Sequence, residues 1–218
     1  MSEPLIALMK RAKASGLGYP GSKGNFNDTV NGDSVDKTKA WIITFTGDKF
    51  YHLAPHTRMV HIEDIAHSLS MLCRWTGHTK YHYSVAQHSW YASKLVAPEF
   101  ALAALLHDAS EAYLGDMNRP LKHFTPAGPA YCKIEERIER VIFEKFGLSY
   151  PMSPEVKVAD TQMLYAEKAQ LMNVTKATQY EAKKWATDET EAPITIQRWA
   201  PRRAEKMFLK RFAELYNQ

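Results

Sequence analysis

An apolar run that ends in two ionisable residues constrains the fold more than any other feature of this sequence. Residues 100–106 are Phe, Ala and Leu only, and His107 and Asp108 follow directly. The run predicts a buried helix, and burying a His–Asp pair costs free energy unless a partner compensates it. A metal ion would satisfy both side chains at once. Glu111 lies one helical turn later on the same face, where its carboxylate could hold or activate a water molecule.

Helical periodicity extends over most of the chain after residue 60. β-Branched and aromatic residues at 41–45 and 50–53 flank a Gly-containing turn, which predicts a β-hairpin, and residues 194–196 are expected to pair with it. We therefore predict a mainly α protein, a helical bundle with a small N-terminal β-hairpin. The apolar spacing predicts helices at 62–73, 85–96, 98–114, 118–124, 131–146, from 154 onwards and at 201–216.

Residues 1–40 differ in composition from the rest of the chain. Turn-forming Gly, Pro, Asn and Asp are dense between residues 16 and 33, and such density is typical of loops rather than packed elements. We predict a flexible, Gly-rich N-terminal arm over 1–40 and one folded domain over 41–218. The length of 218 residues suits one domain with an arm.

Composition excludes several classes of protein. Hydrophobic residues make up 45% and charged residues 24% of the chain, which is ordinary for a folded globular domain and excludes global disorder. No stretch approaches the roughly 20 apolar residues of a membrane span. Two distant cysteines, Cys73 and Cys132, form no disulfide framework. We expect a cytoplasmic protein with reduced thiols and no membrane partner.

The net charge of +4 is concentrated at the ends of the chain. Residues 198–218 carry six basic and two acidic side chains. A basic tail can attract polyanions, but no nucleic-acid recognition motif accompanies it. We therefore expect a solvated helix face and no nucleic-acid partner. A metal-stabilised nucleic-acid-binding module stays open as an alternative from another functional class.

A longer pattern surrounds the His–Asp pair. His88 lies on the preceding predicted helix, and Asp160 lies in the first turns of the helix that Ser153 and Pro154 open. A histidine, a His–Asp pair and a distant aspartate on three helices resemble the pattern of the HD-domain phosphohydrolases. This resemblance implies an HD-domain helical bundle, with the hairpin as a small addition to it.

The flanking sequence is similar to two branches of this family. Arg74-Trp75, the string Ala-Leu-Leu-His-Asp-Ala-Ser-Glu-Ala-Tyr-Leu-Gly-Asp that ends at Asp116, and the string Pro-Leu-Lys that ends at Lys122 resemble bacterial YfbR-type 5′-deoxynucleotidases. The motifs Phe-Thr-Gly-x-x-Phe-Tyr and Ile-Glu-Asp-Ile-Ala-His resemble small phage and bacterial HD proteins, among them phage dATP triphosphohydrolases. The resemblance covers the chain from residue 41 onwards and leaves out 1–40.

The resemblance implies a metal centre and a catalytic carboxylate. Two imidazoles and two carboxylates suit Zn, Mn or Co, with Fe and Ni also open, and Mg could arrive with a triphosphate. Glu111 would act as the catalytic acid or base, and Asp116 would handle water or the leaving oxygen. Four residues would together ligate one divalent ion: His88, His107, Asp108 and Asp160.

The resemblance also implies a set of substrate contacts. Cations near a transferring phosphate stabilise the charge of the transition state. A rigid indole at Trp75 would stack on the nucleoside and exclude a 2′-hydroxyl. The candidate substrate-binding residues are Arg74, Trp75, Lys122, Arg119, Gly77 and His78.

Two activities fit the resemblance. We favour hydrolysis of dATP to deoxyadenosine plus triphosphate, with dADP as a further substrate, which would deplete the dATP pool. The alternative is a 5′-deoxynucleotidase that acts on dNMPs. Either enzyme would be a metal-dependent phosphoric ester hydrolase, and a phage-encoded one would work in the host cytoplasm. Proteins of this kind are homo-oligomers, so we expect a dimer or a hexamer.

Overall fold

The chain divides into two units, Met1–Asp36 and Lys37–Gln218. In the first unit, β1 (Thr29–Val30) pairs antiparallel with β2 (Asp33–Ser34). The flexible arm predicted for 1–40 falls mostly outside the described residues and stays a prediction. The computed structural model describes residues 29–30, 33–34, 36–173, 175, 178 and 192–217.

The second unit is mainly helical with a small antiparallel hairpin, which confirms the predicted fold class. Over the described ranges, no helix is long and apolar enough to cross a membrane. The helices of this unit are α1 (Ile62–Met71), α2 (Val85–Ala92), α3 (Ala101–Leu105), α4 (Glu111–Leu114), α5 (Arg119–Phe124), α6 (Gly128–Lys145), α7 (Pro154–Leu171) and α8 (Pro201–Tyr216).

The predicted hairpin is present and is tied to the helical core. β3 (Trp41–Ile43) pairs antiparallel with β4 (Lys49–Tyr51). The turn between them docks on α1, because the backbone N–H and the hydroxyl of Thr46 both donate to the buried Asp64 carboxylate, at 2.7 and 3.1 Å. The fully buried Phe50 of β4 stacks on Tyr113, with ring centroids 3.8 Å apart.

Helix α2 is the most enclosed element of the bundle. It packs against α1, α3, α7 and α8, and seven of its eight residues are buried. A helix surrounded on all sides cannot place a polar side chain in water. The imidazole of His88, which is completely buried, therefore depends on polar partners that neighbouring helices supply.

The prediction of a single helix over 98–114 is wrong, because the helix is interrupted in its middle. Helix α3 ends at Leu105 and α4 begins at Glu111, so His107 and Asp108 lie in the turns between two short helices. The N–H of Ala109 bonds to the carbonyl of Leu106, and that of Glu111 bonds to the carbonyl of Asp108, each at 3.0 Å. Bonds that reach back three residues tighten the backbone beyond an α-helix.

The prediction that residues 194–196 pair with the hairpin is also wrong. The side chain of Gln170 on α7 holds this segment instead. Its amide donates to the carbonyl of Ile194 at 3.0 Å, and its oxygen accepts from the N–H of Ile196 at 2.9 Å. The side-chain amide thus satisfies backbone groups that a strand would have paired. The helix predicted over 85–96 likewise ends early, at Ala92.

We predict that the core position of Phe50 makes the hairpin essential to stability. Replacing Phe50 with Ala should lower the free energy of unfolding by about 3–5 kcal/mol, because a buried aromatic ring is lost and a cavity remains. Phe124 is the matched control, since its side chain is 82% exposed, and Phe124→Ala should change stability by less than about 0.5 kcal/mol. Urea unfolding measures both, and equal effects would contradict the prediction.

Candidate metal centre and active site

Three parts of the bundle bring the predicted metal ligands together. Helix α2 carries His88, the turn between α3 and α4 carries His107 and Asp108, and α7 carries Asp160. The Nε2 atoms of the two imidazoles are 3.2 Å apart. Asp108 Oδ2 lies 3.6 and 3.1 Å from the Nε2 atoms of His88 and His107, and Asp160 Oδ1 lies 3.4 and 3.8 Å from them. The ligand atoms of His88, His107 and Asp108 thus form a group within 4.8 Å of one another that could hold a metal ion, and Asp160 approaches both imidazoles from α7.

The contact that Nδ1 of each imidazole makes determines which ring nitrogen faces the predicted metal site. Nδ1 of His88 lies 2.6 Å from a carboxylate oxygen of Glu167, and Nδ1 of His107 lies 2.8 Å from the carbonyl of Ala104. Because each neighbour is an acceptor, we assign the proton of each ring to Nδ1 and the lone pair to Nε2. Two imidazole lone pairs, with the carboxylates of Asp108 and Asp160 close by, suit a divalent cation.

A proton substitutes for a cation at this point when none is bound. Burial opposes a charge on His107, but the carboxylates of Asp108 and Asp160 outweigh it and raise the pKa of His107 to about 10. Burial alone would raise the pKa of Asp108, and the positive charge of His107 instead holds it well below its usual range. Metal binding must therefore displace this proton.

Glu167 is a site residue that sequence reasoning missed. Its side chain is completely buried and accepts hydrogen bonds from Nδ1 of His88, Nε of Arg74 and Nε1 of Trp75, at 2.6, 3.1 and 2.9 Å. Burial raises the pKa of Glu167, but Arg74 and His88 outweigh it, and the net pKa is lowered. The spacing to Asp160, seven residues or two turns earlier on the same helix, is the signal that could have found it.

Arg74, predicted as a substrate contact, lies between two acids of the site. Its guanidinium donates to Asp108 Oδ2 through Nη1 at 3.3 Å and to Glu167 Oε2 through Nε at 3.1 Å. Only 11% of the side chain is exposed. The structure thus gives Arg74 a role in supporting the metal centre, and its contact with substrate stays a prediction.

Trp75 begins a strained turn beside the centre. Its φ is +58°, that of Thr76 is +52° and that of Gly77 is +80°. Two consecutive left-handed residues with side chains are rare, and this conformation is favourable only for glycine. Gly77 and His78 follow at the exposed end of the turn. Their predicted place in the base pocket stays a prediction.

Glu111 has the properties of a proton carrier. It is 8% exposed, and its Oε2 has no hydrogen-bond partner among the described residues. Burial, together with the charges of Asp108 and Asp116, raises its pKa well above the usual range. The pKa of the half-buried Asp116 is also raised, by burial in the first place and against the pull of Arg74. Both carboxyls therefore keep a proton more readily than exposed acids do.

The two remaining predicted cations lie on α5. Lys122 pairs with the buried Glu135 of α6, and its ammonium is 5.6 Å from the ring centre of Tyr131. Arg119 begins α5 and is exposed. Lys122 is therefore held by a buried carboxylate, while Arg119 is exposed. Contact of either side chain with substrate stays a prediction.

Comparisons with known proteins agree with this geometry. Residues 83–213 match the family described as YfbR-like 5′-deoxynucleotidase. The uncharacterized protein YfdR of Escherichia coli K12 is 47% identical over 132 residues, which is 61% of this chain and 72% of the relative. An uncharacterized protein of Rhodobacter capsulatus is 36% identical over 152 residues, which is 64% of this chain and 76% of the relative.

The fold and the site together define an HD-type phosphohydrolase. A helical bundle brings His88, His107 and Asp108 into a group that could bind a metal ion, with Asp160 3.4 Å from His88. The same bundle buries the carboxyl of Glu111. The chain belongs to the YfbR-like 5′-deoxynucleotidase family of the HD superfamily. This family supports a phosphoric ester hydrolase that acts on deoxynucleotides. It favours the deoxynucleotidase alternative, whereas the dATP triphosphohydrolase activity that we favoured from sequence has no support here.

We predict that Asp160 is needed for metal binding. Asp160→Ala should lower the divalent-metal content of the purified protein and its affinity for added Zn²⁺, because one of two carboxylate donors is lost. The control is Asp48→Ala, which removes a 64% exposed carboxylate on the hairpin. Elemental analysis and calorimetry measure the two quantities. Equal metal content in both variants would contradict the assignment of Asp160.

We also predict a pH-dependent contribution to stability from Glu139, which lies one turn after Glu135 on α6. Burial, reinforced by the charge of Glu135, raises the pKa of Glu139 from 4.5 to about 8. The folded protein then binds this proton more tightly than the unfolded chain does. The resulting stability is complete below about pH 4.5 and is lost as the pH rises through about 8.

Replacing Glu139 with Gln should remove this dependence, because an amide cannot ionise and still accepts from the hydroxyl of Tyr150. Urea unfolding at about pH 5 and about pH 9 should show a smaller loss of stability in Glu139→Gln than in the wild type. Glu144→Gln, at an exposed position of the same helix, should behave as the wild type does. An unchanged difference between the two pH values in Glu139→Gln would refute the prediction.

Proposed function

We propose that this protein is a metal-dependent 5′-deoxynucleotidase that hydrolyses dNMPs to deoxynucleosides and orthophosphate. One observation carries the proposal. The family match over residues 83–213 contains all four predicted metal ligands, three of which form a group that could hold an ion, together with the buried carboxyl of Glu111. The family match supports hydrolysis of a phosphate ester, and the metal-ligand geometry is compatible with it.

In the proposed reaction, a water oxygen attacks phosphorus, the bond from phosphorus to O5′ breaks, and O5′ takes up a proton. The raised pKa of Glu111 keeps this carboxyl protonated to a higher pH than that of an exposed glutamate. We assign it the donation of the proton to the departing O5′. Asp116, whose pKa is also raised, is proposed to accept, in its ionised form, the proton that the attacking water loses.

The metal site supplies the remaining chemistry. A divalent ion held there, for which we propose Zn, Mn or Co, would polarise the phosphoryl group and would make water a better nucleophile. The protein holds the donors for it in place through Glu167 and the carbonyl of Ala104. Arg74 keeps one side of the centre positive by pairing with Asp108.

The substrate is proposed to enter beside the Trp75 turn. The indole is held by its hydrogen bond to Glu167 and is only partly buried. Lys122 pairs with Glu135, and Arg119 is exposed on the same helix as Lys122. We propose that both attract the phosphate, and that Gly77 and His78 border the base.

A nucleotide panel tests the proposed substrate. Metal-loaded protein is incubated with each dNMP, dNTP and NMP, and the products are separated by chromatography. We expect deoxynucleoside and orthophosphate from dNMPs, with little turnover of NMPs. Conversion of dATP alone to deoxyadenosine and triphosphate would overturn the proposal and favour a triphosphohydrolase.

Glu111→Gln tests the proposed proton donor. The amide cannot donate a carboxyl proton, so the turnover number should fall by about 10²–10⁴-fold, while the metal content stays at the wild-type level. Glu63→Gln, which changes an exposed acid on α1, is the matched control and should retain full turnover. Wild-type turnover in Glu111→Gln would remove this residue from the mechanism.

A further inference from the structure

Glu167 joins three groups that sequence reasoning assigned to separate tasks. Its Oε1 accepts from the proposed metal ligand His88. Its Oε2 accepts from both the guanidinium of Arg74 and the indole of Trp75. A completely buried carboxylate is costly unless its bonds are satisfied, and all three of these donors come from outside its own helix. Each donor therefore depends on the position of this one side chain.

The bond to Trp75 acts on a strained segment. Trp75 and Thr76 both have left-handed backbones, which persist only where surrounding contacts enforce them. The N–H of Arg74 bonds to the carbonyl of Tyr83 at 2.9 Å, which anchors the residue before the turn. Trp75, the first of the two strained residues, is held through its side chain by the indole hydrogen bond to Glu167. Losing that bond would let the turn relax.

The bond to His88 acts on the metal centre. Because Glu167 accepts from Nδ1, the lone pair of Nε2 faces the other ligands. Ion binding at Nε2 makes the Nδ1 proton a stronger donor and draws the charge of Glu167 towards Oε1. The indole of Trp75 bonds to the other oxygen of the same carboxylate. A change in charge at the metal centre therefore reaches the indole of Trp75 through the carboxylate of Glu167.

We propose that Glu167 is a positioning residue that couples the metal centre to the Trp75 turn, so that occupancy of the centre adjusts the wall of the substrate site. The proposed coupling between the metal centre and the Trp75 turn rests only on the contacts that Glu167 makes with His88 and Trp75. Its consequence for nucleotide selection rests on the proposed function.

The test compares Glu167→Gln with Asp64→Asn. Asp64 is a matched control because its carboxylate is also buried, at 2% exposure, and also accepts hydrogen bonds, two of them from Thr46. It lies on α1, where it contacts the hairpin. Both variants lose a buried charge, so both should lose thermal stability. Only Glu167→Gln should affect the metal centre and the Trp75 turn.

Two measurements need no catalytic activity. Calorimetry on metal-stripped protein should show Zn²⁺ affinity reduced about 10- to 100-fold in Glu167→Gln and unchanged in Asp64→Asn. In ¹H–¹⁵N spectra, the indole N–H signal of Trp75, assigned by its loss in Trp75→Phe, should move in Glu167→Gln and stay in place in Asp64→Asn. If Glu167→Gln matched Asp64→Asn in both its Zn²⁺ affinity and the position of its indole signal, the proposal would be overturned.

The wild-type protein gives a test that no folding defect can obscure. Saturation of metal-stripped wild type with Zn²⁺ should shift the Trp75 indole signal, and a signal that stays in place would refute the coupling.

If Glu167→Gln does not fold, Glu167→Asp takes its place, since it keeps the charge but shortens the reach. With dNMPs as substrate, Glu167→Gln should lower the ratio of dNMP to NMP turnover. If wild type hydrolyses no dNMP, the proposed function fails while the Zn²⁺ and indole measurements still decide the coupling.

Discussion

The hydrogen bond from Nδ1 of His88 to Glu167 sets the chemistry of the whole site. It is 2.6 Å long, completely buried, and made between α2 and α7, two helices that pack against each other. By keeping the proton on Nδ1, it leaves the Nε2 lone pair facing His107 and the two aspartates. An imidazole turned the other way would present an N–H to this point, and the donors would no longer suit a cation.

The site concentrates negative charge and balances it with fixed cations. Asp108, Asp160 and Glu167 lie within one buried region, where separate carboxylates would repel one another. Arg74 pairs with Asp108 and Glu167, and Lys157 donates to Asp160 at 2.5 Å. Three carboxylates against two cations leave a net negative charge that a proton on His107 or a bound ion neutralises. The same imbalance suits a bound cation.

The functional groups lie where the backbone departs from regular structure. His107 and Asp108 occupy the tight turns between α3 and α4, and Trp75 occupies a left-handed turn. Such turns aim side chains in directions that a continuous helix cannot reach. The surrounding helices enforce them: the buried α2 presents His88 opposite the first turn, and Glu167 of α7 binds the indole of the second.

Local pattern by itself predicted the hairpin and most of the helices, and the resemblance to the HD-domain phosphohydrolases supplied the four ligand candidates. Helical spacing, a Gly-containing turn and the adjacency of His107 and Asp108 are properties of neighbouring residues, and α8 begins at Pro201 as predicted because proline opens helices. Tertiary structure alone decided the break after α3, the docking of 194–196 on Gln170 and the role of Glu167. Glu167 and His88 are 79 positions apart in the chain, and a contact at that separation forms only when packed helices bring the two side chains together.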